Sequence, residues 1–425
     1  MSETGAARSS SAFGWWTRTP LYLRILVGLV LGVITGMIVG PSAHRLDLPA
    51  RLILRLLGAL APPLILVAVV QALLTAEIRG AVAWRMGRLL LLNTLTAIIV
   101  GLVVANVLAP GRHAHLPAPA ARVENKTDVL TQFLDNIPDS LLRPFVDNRV
   151  IGVVLIAVAF GVAARALPAA QRKLAGDLTS LGFSCILTVL SWVIAFVPLA
   201  VFGKVASIIG VSGFRPFAAI GMFVIAVLLA LLVQSVYYLT RIRFGSWVRP
   251  RALLAATRDA LIMGFSTGSS TATMPVTFER LCNRVGLRKR SASLGALVGS
   301  NFNNDGTALY EAMAALFIAQ MLGQHLTLYD QILVVLTSVV ASVGAAGIPE
   351  AGLVTMTLVF TAVKLPIEYI ALLLSVDWFL DRCRTAINIL GDMNVACLLD
   401  GPTRESAEER ASTESATATP NVAAI

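Results

Sequence analysis

Apolar runs long enough to cross a lipid bilayer recur from Leu21 to Leu399 of this 425-residue chain, and no other feature constrains its fold as much. A bilayer core needs about 20 apolar residues wound as a helix. Such runs occur at Leu21–Gly40, Leu48–Leu74, Leu89–Ala109, Val150–Ala166, Leu178–Ile209 and Phe214–Leu239. Composition agrees, since a chain that is 56% hydrophobic and 14% charged is short of the surface charge a soluble globule needs. Leu21–Val39 reads as a first span, because it lacks the short apolar core and small-residue cleavage site of a signal peptide. Residues 1–18 and 401–425 are polar and small in composition and are expected to be disordered tails. Residues 111–148 read as a polar external excursion.

The net charge of +10 does not point to nucleic acid, because the basic residues fall in short clusters between apolar runs. Arg79/Arg85/Arg88, Arg165/Arg172/Lys173 and Arg241/Arg243/Arg249/Arg251 follow the second, fourth and sixth runs. Positive charge favours the cytoplasmic side, which puts both termini inside a cell membrane, inner or plasma. Arg45/Arg51/Arg55 run against that vote. The four cysteines stand singly with no CxxC spacing, so neither a disulfide framework nor a zinc site follows.

Residues 252–279 are apolar at both ends but carry Ser266-Thr267-Gly268-Ser269-Ser270-Thr271 in the middle and Pro275 just after. A broken backbone of this kind cannot face lipid unsatisfied. Basic clusters flank the segment on both sides, so it is expected to enter the membrane and return as a re-entrant helical hairpin. After a span over Ser291–Leu322 the pattern repeats. Residues 331–363 are broken by Ser342-Val343-Gly344-Ala345-Ala346-Gly347-Ile348-Pro349, and a last helix covers Pro366–Leu399. The expectation is an all-α membrane protein of eight transmembrane helices and two re-entrant hairpins, arranged as an inverted repeat with broken helices around a midplane site.

The last helix holds Asp377, Asp381, Arg382, Arg384, Asn388 and Asp392. An ionisable residue at mid-bilayer costs roughly 2.5–3.5 kcal/mol even on the mildest scale, so the five here need a polar interior to face. Asp377, Asp381, Arg384, Asn388 and Asp392 fall within roughly 80° of arc at about 100° per residue. A salt bridge internal to the helix, Asp381 with Arg384, is the plainer alternative, and it leaves Asn388 and Asp392 unexplained. In the preceding helix, Asn303-Asn304-Asp305-Gly306-Thr307 and then Glu311 would unwind the backbone and turn oxygens toward a cavity suited to hard cations; a packed glycine hinge is the alternative. Asp305, Glu311, Asp377, Asp381 and Asp392 outnumber Arg382 and Arg384 by three charges. Buried surplus of that sign asks for cations, a proton on Glu311 and a ligand ammonium near Asp381. The planar fork of Arg384 suits a second acidic group on the cargo. Hydroxyls and amides of Ser269, Ser270 and Thr271 beside short half-helices suit a carboxylate. A serine nucleophile in an intramembrane hydrolase is the rival from another class; it is weak, since all four histidines lie in loops. A passive anion channel is a further rival.

At these residues the chain resembles the dicarboxylate/amino-acid:cation symporter family, which includes excitatory amino-acid transporters. The resemblance spans about residues 20–400 and is most specific at Ser269–Thr277, Asn303–Glu311, Gly344–Pro349 and Asp381–Asn388. It implies that Asp381 takes the substrate ammonium, Arg384 and Thr307 the side-chain carboxylate, and Asn388 with the Ser270 region the α-carboxylate. Ser269, Thr271, Ile348, Ala351, Gly352 and Thr385 complete the implied substrate site. Asp305, Asn303 and Asp392, with carbonyls near Gly299, Asn301, Asn388 and Ser342, would hold sodium, and Asn93 and Thr94 fall near those sites. Glu311 matches a proton-carrying glutamate of members that also return potassium. The resemblance further implies a homotrimer in which residues 19–249 are mainly scaffold, apart from the third and sixth helices, and residues 250–400 form a transport core that slides like an elevator. The function implied is symport of L-glutamate or L-aspartate driven by sodium and proton gradients, with a neutral amino-acid exchanger or a C4-dicarboxylate symporter as alternatives on the same fold.

Three departures stand out. Asn304 replaces the family's usual methionine, Asn93-Thr94 stands where a hydroxyl pair is usual, and Gly268 takes the place of an arginine found in many prokaryotic members, with Arg382 on the last helix instead.

Overall fold

The computed structural model describes residue 19 and residues 21–75, 81–112, 137–147, 150–344 and 351–404. The two expected tails, apart from 401–404, most of the excursion over 111–148, and the second hairpin's apex at 345–350 lie outside the described residues. Among the described residues the structure is all helical, with no strand.

The first half begins with α1 (Leu21–Val39), a short 3-10 stretch (Gly40–Asp47), α2 (Leu48–Thr75) and α3 (Ala81–Leu108). It continues through the single turn α4 (Arg143–Val146), α5 (Val150–Ala166), α6 (Ala169–Ile194), α7 (Val197–Ser212) and α8 (Arg215–Gly245). The expected single span Leu178–Ile209 is therefore two helices. Pro198 sits in the first turn of α7; its missing N–H and fixed φ suit a helix start and break a helix interior, so the run is interrupted at Ala195–Phe196.

The apolar drive that separates helices from water is absent between them in lipid, so close backbone packing must hold them together. Gly28, Gly32 and Gly36 of α1 show how. Cβ atoms there would fall 2.5 Å from Pro198 O, 2.7 Å from Phe202 O and 2.7 Å from Ala206 O of α7. Any larger residue at these positions would push the two helices apart. Around this pair α2 packs on α5, α6 and α7.

The second half is built as the broken apolar runs require. Helices α9 (Pro250–Thr267) and α10 (Ser270–Arg280) form one antiparallel hairpin; α14 (Leu328–Gly344) and α15 (Ala351–Ala362) form another. Between them run α11 (Lys289–Ala292), a π-wound stretch (Ser293–Val298), α12 (Gly299–Phe302) and α13 (Asp305–Met321), and the chain closes with α16 (Ile370–Asp400). α13 is buried at 16 of its 17 positions, Asp305, Thr307 and Glu311 included, the pattern of a helix enclosed on every side. It packs against α3, α16 and both arms of the second hairpin, while α16 also packs on α8 and the first hairpin.

Leucine, isoleucine and valine side chains on α1, α3, α6 and α8 point outward, among them Ile38, Val107, Leu181 and Leu232. A surface so apolar belongs in lipid rather than water. Four of the described helices are long and apolar enough to cross a membrane: Leu23–Ile53, Trp84–Leu108, Ala169–Ile194 and Pro216–Gly245. The chain is a membrane protein.

Candidate functional site

The helical run is broken between α12 and α13, where Asn303 (φ −98°, ψ 81°) and Asn304 (φ −110°, ψ 46°) leave helical geometry. Freed backbone groups inside a membrane protein must find partners, and α16 supplies them. Asn388 Oδ1 accepts from Gly306 N–H at 2.8 Å, and Asn388 O accepts from Asn303 Nδ2 at 3.0 Å. A Cβ on Gly306 would lie 2.9 Å from Arg384 O, so this approach requires glycine there. Asn304 turns the other way and donates its amide to Ser342 O, near the end of α14, at 2.9 Å.

One turn toward the N-terminus of α16 lies the ionisable cluster. The Arg384 side chain is fully buried, with Nη2 3.0 Å from Asp377 Oδ1 and 2.8 Å from Asp381 Oδ1. The internal pairing of Asp381 with Arg384 is thus present, and Asp377 joins it. The guanidinium lies 4.0 Å from the Tyr310 ring centroid, a cation–π position. Its Nε and Nη1 are buried with no hydrogen-bond partner. A buried donor left unmade is costly, so these two atoms mark a place for an acceptor.

Both hairpins approach the cluster. In the first, α9 ends at Gly268 in the left-handed region (φ +64°), where glycine has no Cβ penalty. Ser269 then caps α10, its Oγ accepting from Ala272 N–H at 3.2 Å. A Cβ on Gly268 would stand 3.2 Å from Asp381 Oδ2, so the apex lies against that carboxylate. Ser270 is buried with Oγ 3.5 Å from Ser300 O, and the buried Thr271 hydroxyl has no partner. In the second hairpin a Cβ on Gly352 would lie 3.3 Å from Arg384 Nη2. Thr385 donates to Asp381 O at 2.9 Å, and Thr307 is buried in the first turn of α13.

Deeper along α16 stand two further carboxylates. Asp392 is buried, its Oδ1 has no hydrogen-bond partner, and a Cβ on Gly299 would lie 3.0 Å from it. Asn303 Oδ1, also buried, is likewise without a partner. Asp305, fully buried, is served by hydroxyls: Thr94 donates to Oδ1 at 2.6 Å and Tyr238 donates to Oδ2. Beside it Asn93 accepts from Arg241 Nη1 through its Oδ1 and donates to Asn394 Oδ1 at 3.3 Å. Glu311 is fully buried on α13 next to Thr355 of the second hairpin. No group of three His, Cys, Asp or Glu side chains converges among the described residues, so a cation here would be held by mixed carboxylate, amide and carbonyl oxygens.

The structure therefore brings Gly352, Asp381, Arg384, Thr385 and Asn388 around one locus, with Ser269, Ser270 and Thr271 following Gly268 in the apex that meets Asp381 and Thr307 next to the Gly306 that meets Arg384, and Asn93, Thr94, Gly299, Asn303, Asp305, Ser342 and Asp392 around the adjoining helix break. Ile348 lies outside the described residues; Asn301 and Ala351 are seen in α12 and α15 by backbone alone. Arg382 points elsewhere, donating to Trp378 O at 2.7 Å. Tyr238, Arg241, Gln234 and Asn394 belong to the polar core without having been singled out from sequence. Arg241 was counted with the loop cations, yet it sits in the last turns of α8, half-buried and turned inward.

Comparison with known proteins agrees with this architecture. Excitatory amino acid transporter 1 of Ambystoma tigrinum is 30% identical over 452 residues, covering 89% of this chain and 82% of its own length. An excitatory amino acid transporter of Caenorhabditis elegans is 29% identical, covering 89% of this chain and 86% of its own length. Human excitatory amino acid transporter 2 is 39% identical over 247 residues, 57% of this chain and 43% of its own length. The model of the sodium:dicarboxylate symporter family matches residues 21–401. With its paired helical hairpins, the helix break between α12 and α13 and a match along nearly its whole membrane body, the chain belongs to the sodium:dicarboxylate symporter family.

Proposed function

We propose that this chain is a secondary active symporter of acidic amino acids, L-glutamate or L-aspartate, driven by sodium and proton gradients. Family membership sets aside the intramembrane hydrolase, because this is a family of transporters. One observation carries the choice of cargo: Arg384, fully buried, keeps Nε and Nη1 unpaired beside Asp381 and between the two hairpins. Two unpaired donors on a buried guanidinium call for anionic acceptors such as carboxylate oxygens, and Asp381, the more exposed of the paired aspartates at 21% against 7%, is the group that can turn from Arg384 to an ammonium. A zwitterion with a second acidic group uses both. A plain dicarboxylate would leave Asp381 facing like charge, and a neutral amino acid would leave Arg384 without its acceptor.

The α-carboxylate goes to Asn388 and the Ser269–Thr271 apex, with Thr307 and Thr385 as neighbouring hydroxyls. Glu311, fully buried on α13 beside Thr355, is assigned to carry the proton, with potassium taking the return path. Packing supports an elevator division. α1, α2, α5, α6 and α7 form one group that serves as scaffold and trimer contact; α3, α8 and the helices from α9 to α16 form the moving unit. Both termini are assigned to the cytoplasm.

The test is uptake of radiolabelled aspartate and glutamate into proteoliposomes under separately imposed sodium, proton and potassium gradients, with succinate and serine as competitors. Inward sodium should drive accumulation of both acidic amino acids, and neither competitor should match them. Uptake of succinate or serine in preference to aspartate would overturn the proposed cargo.

A further inference from the structure

The polar core offers three oxygen clusters where a cation could dock, and they differ in what already occupies their lone pairs. At the first, both oxygens of Asp305 accept hydroxyls from Thr94 and Tyr238, and Asn93 Oδ1 accepts from the Arg241 guanidinium. Arg241 also receives support from Tyr237, donating to its Oη at 3.1 Å and lying 5.3 Å from its ring centroid. Its charge thus stands on Asn93, the neighbour of the Thr94 that donates to Asp305, on a side chain that cannot lose its proton. At the second, the Ser342 carbonyl is taken by the Asn304 amide at 2.9 Å, and Asn304 Oδ1 in turn faces Asn388 Nδ2 at 3.4 Å. A methionine at 304 has no donor for that carbonyl. At the third, Asp392 Oδ1 and Asn303 Oδ1 are buried and accept from nothing; Asp392 Oδ1 adjoins the cradle left by Gly299, and the Asn303 side chain lies within hydrogen-bonding reach of that carboxylate.

We infer that this transporter couples to a single metal cation per cycle, held by Asp392 and Asn303, and that Arg241 and Asn304 are built-in replacements for cations at the other two clusters. The inference rests on the symport reading above and fixes its ion count. A hard cation needs several oxygen lone pairs turned toward it and free of competing donors. Of the three clusters, as far as the described residues reach, the Asp392 cluster alone pairs an unpartnered carboxylate oxygen with an unpartnered amide oxygen, whereas the second keeps free only the neutral Ser342 hydroxyl. Arg241 sets a tethered positive charge on the Asn93 oxygen of the first cluster, and it travels with the protein, so no gradient is spent there.

The experiment measures sodium directly in the full-length protein. In proteoliposomes, the aspartate gradient that just halts net flux against a set sodium gradient gives the coupling ratio, and equilibrium binding of radioactive sodium at saturating aspartate gives the number bound. Both should give about one sodium per protomer, with a Hill slope of about one for sodium. Asp392→Asn should raise the half-saturating sodium concentration by more than about tenfold. Asn304→Met, which frees the Ser342 carbonyl, should raise the slope and the bound sodium toward about two. A coupling ratio of two or more in the parent protein overturns the inference while leaving the symport reading intact. An Asn304→Met variant that transports with unchanged slope overturns the role of Asn304. Absence of any sodium-driven aspartate uptake in the parent protein overturns the symport reading, and this inference with it.

Discussion

Arg384→Ala separates two roles that the geometry superimposes on one side chain. The first is structural. Asp377 is 5% exposed, and removing one partner of a buried ion pair costs about 3–5 kcal/mol. The second is recognition. A charge-assisted hydrogen bond contributes about 1.5–3 kcal/mol, and the unpaired Nε and Nη1 offer two of them to acceptors on an anionic ligand. Part of that gain is offset, because Nη2 already holds Asp381 and Asp377 at 2.8 and 3.0 Å and must share them with the ligand. Taking the lower end, about 3 kcal/mol, the affinity for aspartate should fall roughly 10²-fold. The double variant Arg384→Ala/Asp377→Asn removes the orphaned charge, so it should regain most of the thermal stability and none of the acidic-substrate affinity. Thermal unfolding of the detergent-purified protein reads the first effect, and competition by unlabelled aspartate against labelled substrate reads the second. If the double variant binds aspartate within about threefold of the parent, the carboxylate contact has been assigned to the wrong residue.

Three other substitutions test the neighbouring elements. Gly268→Ala forces a Cβ into the left-handed region at about 1–2 kcal/mol and sets it 3.2 Å from Asp381 Oδ2; aspartate uptake should drop about tenfold with the fold retained, and unchanged uptake would show that the apex is not packed on Asp381. Lys204→Met strips the buried Asp47 of the ammonium 3.4 Å away. It should lower the melting temperature more than Lys204→Met combined with Asp47→Asn, since the second change removes a buried charge left with only the solvent-exposed Arg51, 3.0 Å away; equal losses would mean that Lys204 contributes by packing alone. Glu311→Gln keeps the shape of the side chain but cannot exchange a proton, so uptake should lose its response to an imposed pH gradient while still following sodium. A Gln variant that still responds to the pH gradient assigns the proton to another group.

What sequence disclosed and what it concealed follow from one distinction. An ionisable or backbone-breaking residue inside an apolar run carries a free-energy penalty wherever it sits, so its need for a polar interior is written locally. The stripe from Asp377 to Asp392, the interruption at Asn303-Asn304 and the Ser/Gly apex of the first hairpin were legible for that reason. Boundaries within continuous apolar sequence were not: Leu178–Ile209 reads as one run, and only the placement of Pro198 in the first turn of α7 separates α6 from α7. Partner choice was concealed altogether. Asn304 is visibly unusual, yet its hydrogen bond to Ser342 spans 38 residues. Arg241 looks like one more basic residue at a helix end, because charge counting along the chain does not say which way the last turn of α8 faces. Its bond to Asn93, 148 residues away, turns a topology signal into part of the ion-handling core. The consequence reaches beyond this helix end. A fixed guanidinium and a mobile sodium ion can take up the same buried oxygen in a static structure, but only the mobile ion links that oxygen to a gradient. The number of ions coupled is therefore decided by how many acceptors the protein leaves unsatisfied, and in this core that choice is made by residues 241 and 304 as much as by the aspartates themselves.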